Sequence, residues 1–341
     1  MPKRRNGVLA ALLAAVLGFG VGATAKKRHE AAPKELAGPE VLWRRPNDIA
    51  SRNLFYGPGG EEDAPQSTLT FVKEDLSGTS PKFDVRDENG VKWKVKLGAE
   101  ARPEVVATRL VWAVGYSANE DYFLPELRVE GMPAHPRRGQ ELVEPDGLMR
   151  NVRLKRYLKG EKKLGDWRWR HNPFEGTREL NGLRVVMALI NNWDLKDDNN
   201  SVYSEKDTKE EVYLVSDLGS SFGTAGPSWT ITRSKGNLES YRHCRFISKT
   251  APEFVDFNMP TRPALDWIFD PGQYFVHLRM HWIGRHIPRA DVEWIAQWLA
   301  QLSSGQIRDA FRAAGYSPEE VDGFANVVEK RIDELTDLPR S

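Results

Sequence analysis

The sequence contains very little cysteine and no excess of charge of either sign. Cys244 is the only cysteine among 341 residues, so the chain cannot form an intramolecular disulfide. Lys and Arg together number 49 and Asp and Glu 48, which gives a formal charge of +1. Since no recognised nucleic-acid-binding motif is present, we expect no nucleic-acid partner. With 40% hydrophobic residues, the chain is long enough for one two-lobed core or two modest domains.

Sequence patterns typical of zinc enzymes are also missing. His277 and His281 have the spacing of one helix face, but no His-Glu-x-x-His sequence occurs and no acidic third ligand is near them. The pattern therefore favours packing inside a helical region over a zinc site.

The first residues resemble a targeting segment. A basic start at residues 2–5 precedes an apolar run at residues 7–25 that ends in Ala-Thr-Ala, which predicts a secretory signal peptide at residues 1–25. An uncleaved membrane anchor is the alternative, because the run is long enough to span a bilayer. We expect a secreted, periplasmic or membrane-anchored protein. Basic residues flank the run on both sides, so a cytoplasm-facing orientation stays open. Residues 26–65, rich in Pro, Gly and charge, are predicted to be a linker with one docking segment around Val41–Trp43.

One pair of polar segments carries a recognisable chemistry. Asp194-Leu-Lys-Asp-Asp-Asn199 has the spacing of a kinase catalytic loop, in which the Asp orients a hydroxyl nucleophile and the Asn holds a metal ion. Asp217, in Asp-Leu-Gly, stands where a second Asp holds Mg²⁺. Residues 200–203 and 211–215 predict two strands whose hairpin brings Asn199 and Asp217 together. Lys196 stands where such loops often carry a lysine, but the usual His-Arg before the Asp is missing. A plain polar turn is the alternative.

The N-terminal half supplies matching parts. Residues 67–76 and 82–86 predict two strands, and an Asn-Gly turn leads into a third, strictly alternating strand at Val91–Leu97. The turn between the first two strands is a candidate phosphate-covering loop, although no Gly-x-Gly-x-x-Gly sequence occurs. Its proposed contact residues are Gly78, Thr79 and Ser80.

The third strand and the helix after it predict an ion pair. Lys96 has the hydrophobic-Lys-hydrophobic setting of a phosphate-contacting strand lysine, and Lys94 is the alternative. A helix is predicted from about Pro103 to Gly115. Glu104 is the favoured partner of the lysine and Glu100 the alternative, although both could be ordinary acids of a first helical turn.

Together these segments resemble the atypical kinase-like superfamily. Asp217-Leu-Gly-Ser-Ser-Phe-Gly223 and the helix running into Asp194 are similar to HipA-like toxin kinases, type II phosphatidylinositol kinases, spore-coat CotH kinases and Golgi secretory-pathway kinases. The resemblance implies an α+β, bilobal protein-kinase-like fold. It implies an N-terminal antiparallel sheet lobe with one helix at residues 66–130 and a mainly helical lobe at residues 131–341.

The resemblance also implies an activity. Lys96 would bind phosphates, Glu104 would orient Lys96, Asp194 would position the acceptor with Lys196 beside it, and Asn199 with Asp217 would hold metal. The expected function is transfer of the γ-phosphoryl group of ATP, with Mg²⁺ or Mn²⁺, to a hydroxyl of a protein, lipid or sugar. The alternatives are a catalytically weak binding or scaffold protein of the cell envelope and an adenylyl transferase on the same fold.

Three further regions have recognisable patterns. The basic run at residues 150–163 is a solvated face or a surface for an acidic partner or a membrane. Helical spacing predicts helices at residues 263–285, 289–302, 304–314 and 318–335, which would form the helical lobe. Residues 122–129 predict an extended strand that could cradle an adenine.

Overall fold

The computed structural model describes residues 38–65, 68–78, 80–225, 235–259, 266–269 and 271–338. The predicted targeting segment and Thr79 lie outside these residues. Sheet dominates up to Arg156 and helix dominates the C-terminal region, so the α+β fold with two lobes that the sequence predicts is confirmed. Within the described part of the chain, no helix is both long and apolar enough to cross a bilayer.

The N-terminal lobe is a closed five-stranded barrel. Its strands are β2 (Leu69–Asp75), β3 (Lys82–Asp87), β4 (Lys92–Lys96), β5 (Asp121–Glu130) and β6 (Leu148–Arg156), in the order β2-β3-β4-β6-β5. Because side chains alternate along a strand, every second residue points inward. The buried interior includes Leu69, Phe83, Val85, Trp93, Val95, Leu127, Val129, Met149, Val152 and Leu154.

The barrel extends beyond the predicted lobe boundary at residue 130. Strand β6 pairs with both β4 and β5, so the sheet closes only at Arg156. The Pro- and Gly-rich composition of residues 131–147 correctly predicts a loop, but this loop connects two strands of one barrel and does not separate the lobes.

Helix α1 (Ala101–Ala113) joins β4 to β5 and begins two residues before the predicted Pro103. The helix ends before Gly115, which has a φ of 99°. A Cβ at Gly115 would lie 2.3 Å from the carbonyl oxygen of Arg44, so both the backbone angle and the space require glycine.

Residues 38–65, predicted to be a linker with a docking segment around Val41–Trp43, pack against distant parts of the chain. Strand β1 (Glu40–Val41) pairs in parallel with β9 (Glu211–Val215), and Leu42 is buried. The Trp43 ring packs against Trp294 and Trp298 at centroid distances of 4.9 and 5.5 Å. Apolar residues scattered among Pro and Gly are enough to bury an irregular segment, which a composition argument misses.

The catalytic-loop region begins with helix α2 (Arg178–Leu189), whose first turn is capped by the Thr177 side chain. The predicted hairpin is confirmed as β8 (Asn200–Ser204) and β9, and β7 (Lys162–Gly165) completes a sheet in the order β1-β9-β8-β7.

The remaining elements build the helical lobe around α2. They are α3 (Leu238–His243), β10 (Ile247–Thr250), β11 (Phe254–Phe257), α4 (Asp266–Phe269), α5 (Pro271–Leu278), β12 (Ile287–Pro288), α6 (Arg289–Leu299), α7 (Ser304–Arg312) and α8 (Pro318–Thr336). Ser303 and Ser317 each form a capping box, which fixes where α7 and α8 begin. The helix predicted at residues 263–285 is divided, because a 3₁₀ turn at His281–Gly284 follows α5.

Candidate active site

Lys96 lies at the centre of a buried ionic cluster. Trp93 and Val95 of β4 fill the barrel, so the alternating Lys96 projects from its outer face, where its side chain is 1% exposed. Its Nζ lies 2.5 Å from Glu100 Oε2, 2.9 Å from Glu104 Oε2 and 3.1 Å from Asp217 Oδ1. An ammonium group has three N–H donors. Each donor therefore has one carboxylate near it.

The cluster keeps Lys96 charged. Burial by itself lowers the pKa of Lys96, but the carboxylates of Asp217, Glu104 and Glu100 outweigh burial and raise that pKa. Lys94, the alternative lysine, pairs with Asp75 and lies 3.5 Å from Asp84, on the barrel surface. The structure therefore brings Lys96, and not Lys94, to the acidic residues of the predicted site.

Glu104 is held from two sides. Its Oε2 accepts from Lys96, and its Oε1 accepts from Arg153 Nη2 at 2.9 Å. Burial raises the pKa of Glu104 despite these two cations. Arg153 also lies 3.6 Å from Asp121, which is completely buried. Helix α1, β4, β5 and β6 are thus joined by one network of charges.

The position of Arg153 corrects part of the basic-run prediction. Arg150 on the same strand is exposed, whereas Arg153 is 4% exposed and ion-paired inside the lobe. A run of basic letters does not show which of them point inward. Strand alternation places Arg153 on the outer face of the barrel beside Lys96, its partner on β4, because Val152 and Leu154 point into the barrel. That helix α1 covers this face has no local signal in the sequence.

Glu100 makes a separate set of contacts. Its carboxylate pairs with Lys96 and with Lys235, and Ser80 Oγ donates to Glu100 Oε2 at 2.8 Å. Burial raises the pKa of Glu100, but Lys96 and Lys235 outweigh burial and lower that pKa. Lys235 was not expected from the sequence, since no motif surrounds it.

The hairpin of β8 and β9 joins the two predicted metal-binding residues. The Asn199 carbonyl accepts from Ser216 N at 2.8 Å and from Asp217 N at 3.2 Å. The Asn199 side chain donates from Nδ2 to the Asp194 carbonyl at 2.6 Å. Asp194, Asn199 and Asp217 are therefore connected through the backbone.

The loop before Asn199 places a second lysine beside Asp194. Lys196 Nζ lies 2.9 Å from Asp194 Oδ1, and the Asp194 backbone N–H donates to Asn192 Oδ1 at 3.1 Å. Trp193 N donates to the Ser220 carbonyl at 3.2 Å, which ties this loop to the segment that follows Asp217. The Asp194 side chain is 20% exposed, so an acceptor hydroxyl can approach it.

The oxygen donors at Asn199 and Asp217 fit a divalent metal such as Mg²⁺. The Asn199 Nδ2 donates to a carbonyl, which leaves its Oδ1 as the atom able to bind a cation. Asp217 uses Oδ1 for Lys96 and Gly219 N, and its side chain is 35% exposed. Burial raises the pKa of Asp217, but Lys96 outweighs burial and lowers it, so the carboxylate is ionised as a metal ligand must be. Carboxylate and amide oxygens are ligands that Mg²⁺ prefers.

The candidate phosphate-covering loop is joined to the cluster through Ser80. Gly78 has a φ of 66°, and Arg138 Nη1 donates to the Gly78 carbonyl. Lys82, at the start of β3, is half-buried below this loop, and burial with nearby Lys96 lowers its pKa. Thr79 lies in a gap between the described segments. Neither Arg138 nor Lys82 carried a sequence signal of its own.

Solved structures of kinases are among those that are similar to this chain, at low identity. No family model matches the chain, and no curated protein matches it. A crystal structure of a Helicobacter pylori proinflammatory kinase, CtkA, is 11% identical over 80% of this chain and 95% of that chain, with a TM-score of 0.45. The Golgi casein kinase is 10% identical over 81% of this chain and 73% of that chain, with a TM-score of 0.38. Both of these proteins are kinases. At these scores the arguments about activity depend on the chain's own residues.

Proposed function

We propose that this protein is an ATP-dependent phosphotransferase that transfers the γ-phosphoryl group to a hydroxyl acceptor. The observation that carries the proposal is the meeting of Lys96 with both Glu104 and Asp217, next to the bonded pair of Asp194 and Asn199. A lysine held by a helix glutamate, an acceptor-orienting Asp and two metal ligands are the parts that kinase chemistry requires.

Each residue has a role set by its position. Lys96 would bind phosphate oxygens of the donor, and Glu104 would hold Lys96 in place. Asp194 would accept a hydrogen bond from the acceptor hydroxyl and take up its proton, while Lys196 beside it would neutralise the phosphoryl group in transfer. A metal ion held by Asn199 and Asp217 would supply charge neutralisation on the donor phosphates.

The proposed reaction is a single displacement at the γ-phosphorus. A bond forms between the acceptor oxygen and the γ-phosphorus, and the bond from that phosphorus to the β–γ bridging oxygen breaks. The electron pair leaves with ADP, and the proton goes to Asp194. Catalysis of this kind depends mainly on positioning and charge stabilisation, which a preformed ionic cluster favours.

Intact-mass spectrometry of the full chain tests the proposal. The protein would be incubated with ATP, Mg²⁺ or Mn²⁺ and candidate protein, lipid and sugar acceptors, beside Asp194→Asn and Asp217→Asn. A phosphoryl mass that appears with wild type and is lost in both variants supports the proposal. An added adenylyl mass, in place of a phosphoryl mass, would show that the protein transfers an adenylyl group. Equal transfer by the variants and wild type would exclude the proposed roles.

A second function is favoured by one observation. All three Nζ donors of Lys96 face carboxylates, which leaves no free donor for a phosphate. A protein held in this state would be a binding or scaffold module of the envelope with little turnover. The absence of any transferred mass, across acceptors and both metals, would favour it, and turnover of nucleotide would exclude it.

Location and surface partners are part of the same proposal. The apolar residues 7–25 would direct the chain out of the cytoplasm or hold it at a membrane. Lys159 and Lys162, which are exposed members of the basic run, would attract an acidic partner or a membrane surface. Arg153 takes no part in that attraction, since its charge is paired inside the lobe. Cell fractionation with an antibody to the C-terminal end tests the location.

A further inference from the structure

Glu100 connects three groups that come from three separate parts of the chain. Ser80 belongs to the candidate phosphate-covering loop, Lys96 to β4, and Lys235 to the segment after Asp217. All three direct a donor group at the Glu100 carboxylate, with Ser80 and Lys96 on Oε2 and Lys235 on Oε1. One carboxylate therefore gathers two ammonium groups and one hydroxyl.

These donors are the ones that a phosphate group would need. Phosphate oxygens in proteins are bound by lysine ammonium groups and by hydroxyl groups of covering loops. A carboxylate offers two negative oxygens to the same donors. Glu100 and a phosphate cannot both occupy the place, because two anions within a few ångströms of each other repel strongly in a buried site.

The two glutamates on Lys96 differ in how they are held. Glu104 is 1% exposed, belongs to the body of α1 and is anchored on its second oxygen by Arg153. Glu100 precedes the first residue of α1, and among the described residues its second oxygen is held by the Lys235 side chain. Releasing Glu100 therefore breaks contacts of side chains alone and leaves the helix and its network in place.

Two neighbours show why Glu100 reaches this position. A Cβ at Gly219 would lie 2.6 Å from Glu100 Cβ, so the glycine of Asp-Leu-Gly makes room for the Glu100 side chain. Lys235 Nζ lies 5.8 Å from the centre of the Trp193 ring, next to Asp194. Lys235 therefore extends between the start of α1 and the loop of the acceptor-orienting Asp.

We propose that the Glu100 carboxylate occupies the place of the donor's phosphate groups in the nucleotide-free protein, and that Lys235 is a phosphate-binding residue. This inference rests on the proposed function. On nucleotide binding, Glu100 leaves Ser80, Lys96 and Lys235, and phosphate oxygens take their donors. In the nucleotide-free protein, Glu100 then competes with nucleotide for these donors. The apparent affinity for nucleotide is lower than the intrinsic affinity, because only the molecules in which Glu100 is released can bind it.

The test is a binding measurement that needs no turnover. Isothermal titration calorimetry of the full chain would use Mg·ATP and, separately, tripolyphosphate without metal, which probes the phosphate contacts alone. Glu100→Gln keeps the size and a hydrogen-bonding oxygen but removes the charge. Glu130→Gln is the matched control, because Glu130 is an exposed residue at the end of β5. Lys235→Met is compared with Lys206→Met, an exposed lysine in the β8–β9 turn.

The proposal makes three expectations. Glu100→Gln binds tripolyphosphate and Mg·ATP at least about tenfold more tightly than wild type, since the Glu100 carboxylate no longer competes with the ligand for the same donors. Lys235→Met, made in the Glu100→Gln background, binds both ligands about tenfold more weakly than Glu100→Gln alone, because one ammonium contact to the phosphates is removed. The two control variants bind as wild type does.

The other outcomes separate the two levels of inference. In one outcome, wild type binds Mg·ATP and Lys96→Met abolishes that binding, but Glu100→Gln binds no more tightly than wild type or loses only the metal-dependent part of the binding. The place-holding role of Glu100 is then overturned, and the phosphotransferase proposal stands. If neither wild type nor Glu100→Gln binds either ligand, both are overturned. Urea denaturation of each variant shows whether it is folded before it is titrated.

Discussion

Lys96 and Asp217 are 121 positions apart in the chain, and their Nζ and Oδ1 atoms are 3.1 Å apart. The contact joins the outer face of the barrel to the hairpin of the helical lobe. Because Lys96 also pairs with Glu100 and Glu104, a single ammonium group links the strand lobe, the start of α1 and the segment that begins with Asp217. The proposed chemistry and much of the electrostatic stability of this region therefore depend on the same atom.

The choice between the two lysines of β4 can be tested directly. Lys96→Met is expected to abolish Mg·ATP binding, because it removes the only ammonium on β4 that reaches Asp217. Lys94→Met removes a half-buried pair with Asp75 and should leave the dissociation constant within about threefold, since Asp75 and Asp84, which Lys94 faces, lie outside the Lys96 cluster. Calorimetric titration of both variants measures this. A larger loss in Lys94→Met would reverse the assignment.

The metal role of Asn199 predicts a metal-dependent defect. Asn199→Ala removes the amide oxygen that would bind the ion and the hydrogen bond to the Asp194 carbonyl. We expect about tenfold weaker binding of Mg·ATP, the usual loss for one contact to a charged group, with metal-free tripolyphosphate binding unchanged. Asp198→Ala is the control, because Asp198 is the exposed neighbour in the same 3₁₀ turn. Equal losses with and without metal would contradict a ligand role.

The buried network predicts a difference between two arginines of β6. Arg153→Met leaves Glu104 with one cation fewer and Asp121 without its nearest charge, and removal of one partner from a buried pair costs about 3–5 kcal/mol of unfolding free energy. Arg150→Met breaks only exposed pairs and should cost less than about 1 kcal/mol. Urea denaturation at neutral pH compares them. Similar losses in the two variants would mean that Arg153 is not held in the interior.

The lowered pKa values of Glu100 and Asp217 predict an acid-sensitive site. A carboxyl group whose pKa is lower in the folded than in the unfolded state adds stability above its unfolded value, and this stability is lost as the pH falls through the folded value. The ordinary values are 4.5 for Glu100 and 3.8 for Asp217, so their contribution is complete above about pH 5 and declines below that. Melting temperatures measured from about pH 7 to about pH 3 should therefore fall in wild type.

The same melting series assigns the effect to Glu100. Glu100→Gln cannot titrate at this position, so its melting temperature should fall less steeply with acid than that of wild type. Glu130→Gln should follow the wild-type curve, since Glu130 is exposed. Parallel curves for wild type and Glu100→Gln would show that other carboxyl groups, such as Asp75 with its own lowered pKa, dominate the acid transition.

Several elements could be predicted because their signals are local. Strict alternation in Val91–Leu97 predicts β4, and the two short apolar segments at residues 200–203 and 211–215 predict the hairpin to within one residue. The capping boxes fix the starts of α7 and α8, each through a serine and, three residues later, Gln306 or Glu320. In each case the responsible residues are neighbours in the chain.

The missed features depend on distant contacts. Composition predicts a linker at residues 38–65 with docking only around Val41–Trp43, yet Ile49 and Leu54 are also buried, and Gln306 donates to the Ile49 carbonyl. Strand β6 follows a long loop, so its pairing with β4 has no local signal. Lys235 is an ordinary lysine in the sequence and becomes part of the site only because Glu100 lies opposite it.

The sequence by itself determined the inventory of the candidate site: the spacing of Asp194 with Asn199, the Asp217 motif, and a lysine strand followed by an acidic helix start. Spacing of this kind is the number of residues between two positions, and it can be counted directly in the sequence. Only the tertiary structure decided that Lys96 and not Lys94 meets Asp217, that both Glu100 and Glu104 hold it, and that Arg153 supports Glu104 from within. Those choices depend on which charges are buried together, and burial is set by the closing of the barrel against the helical lobe.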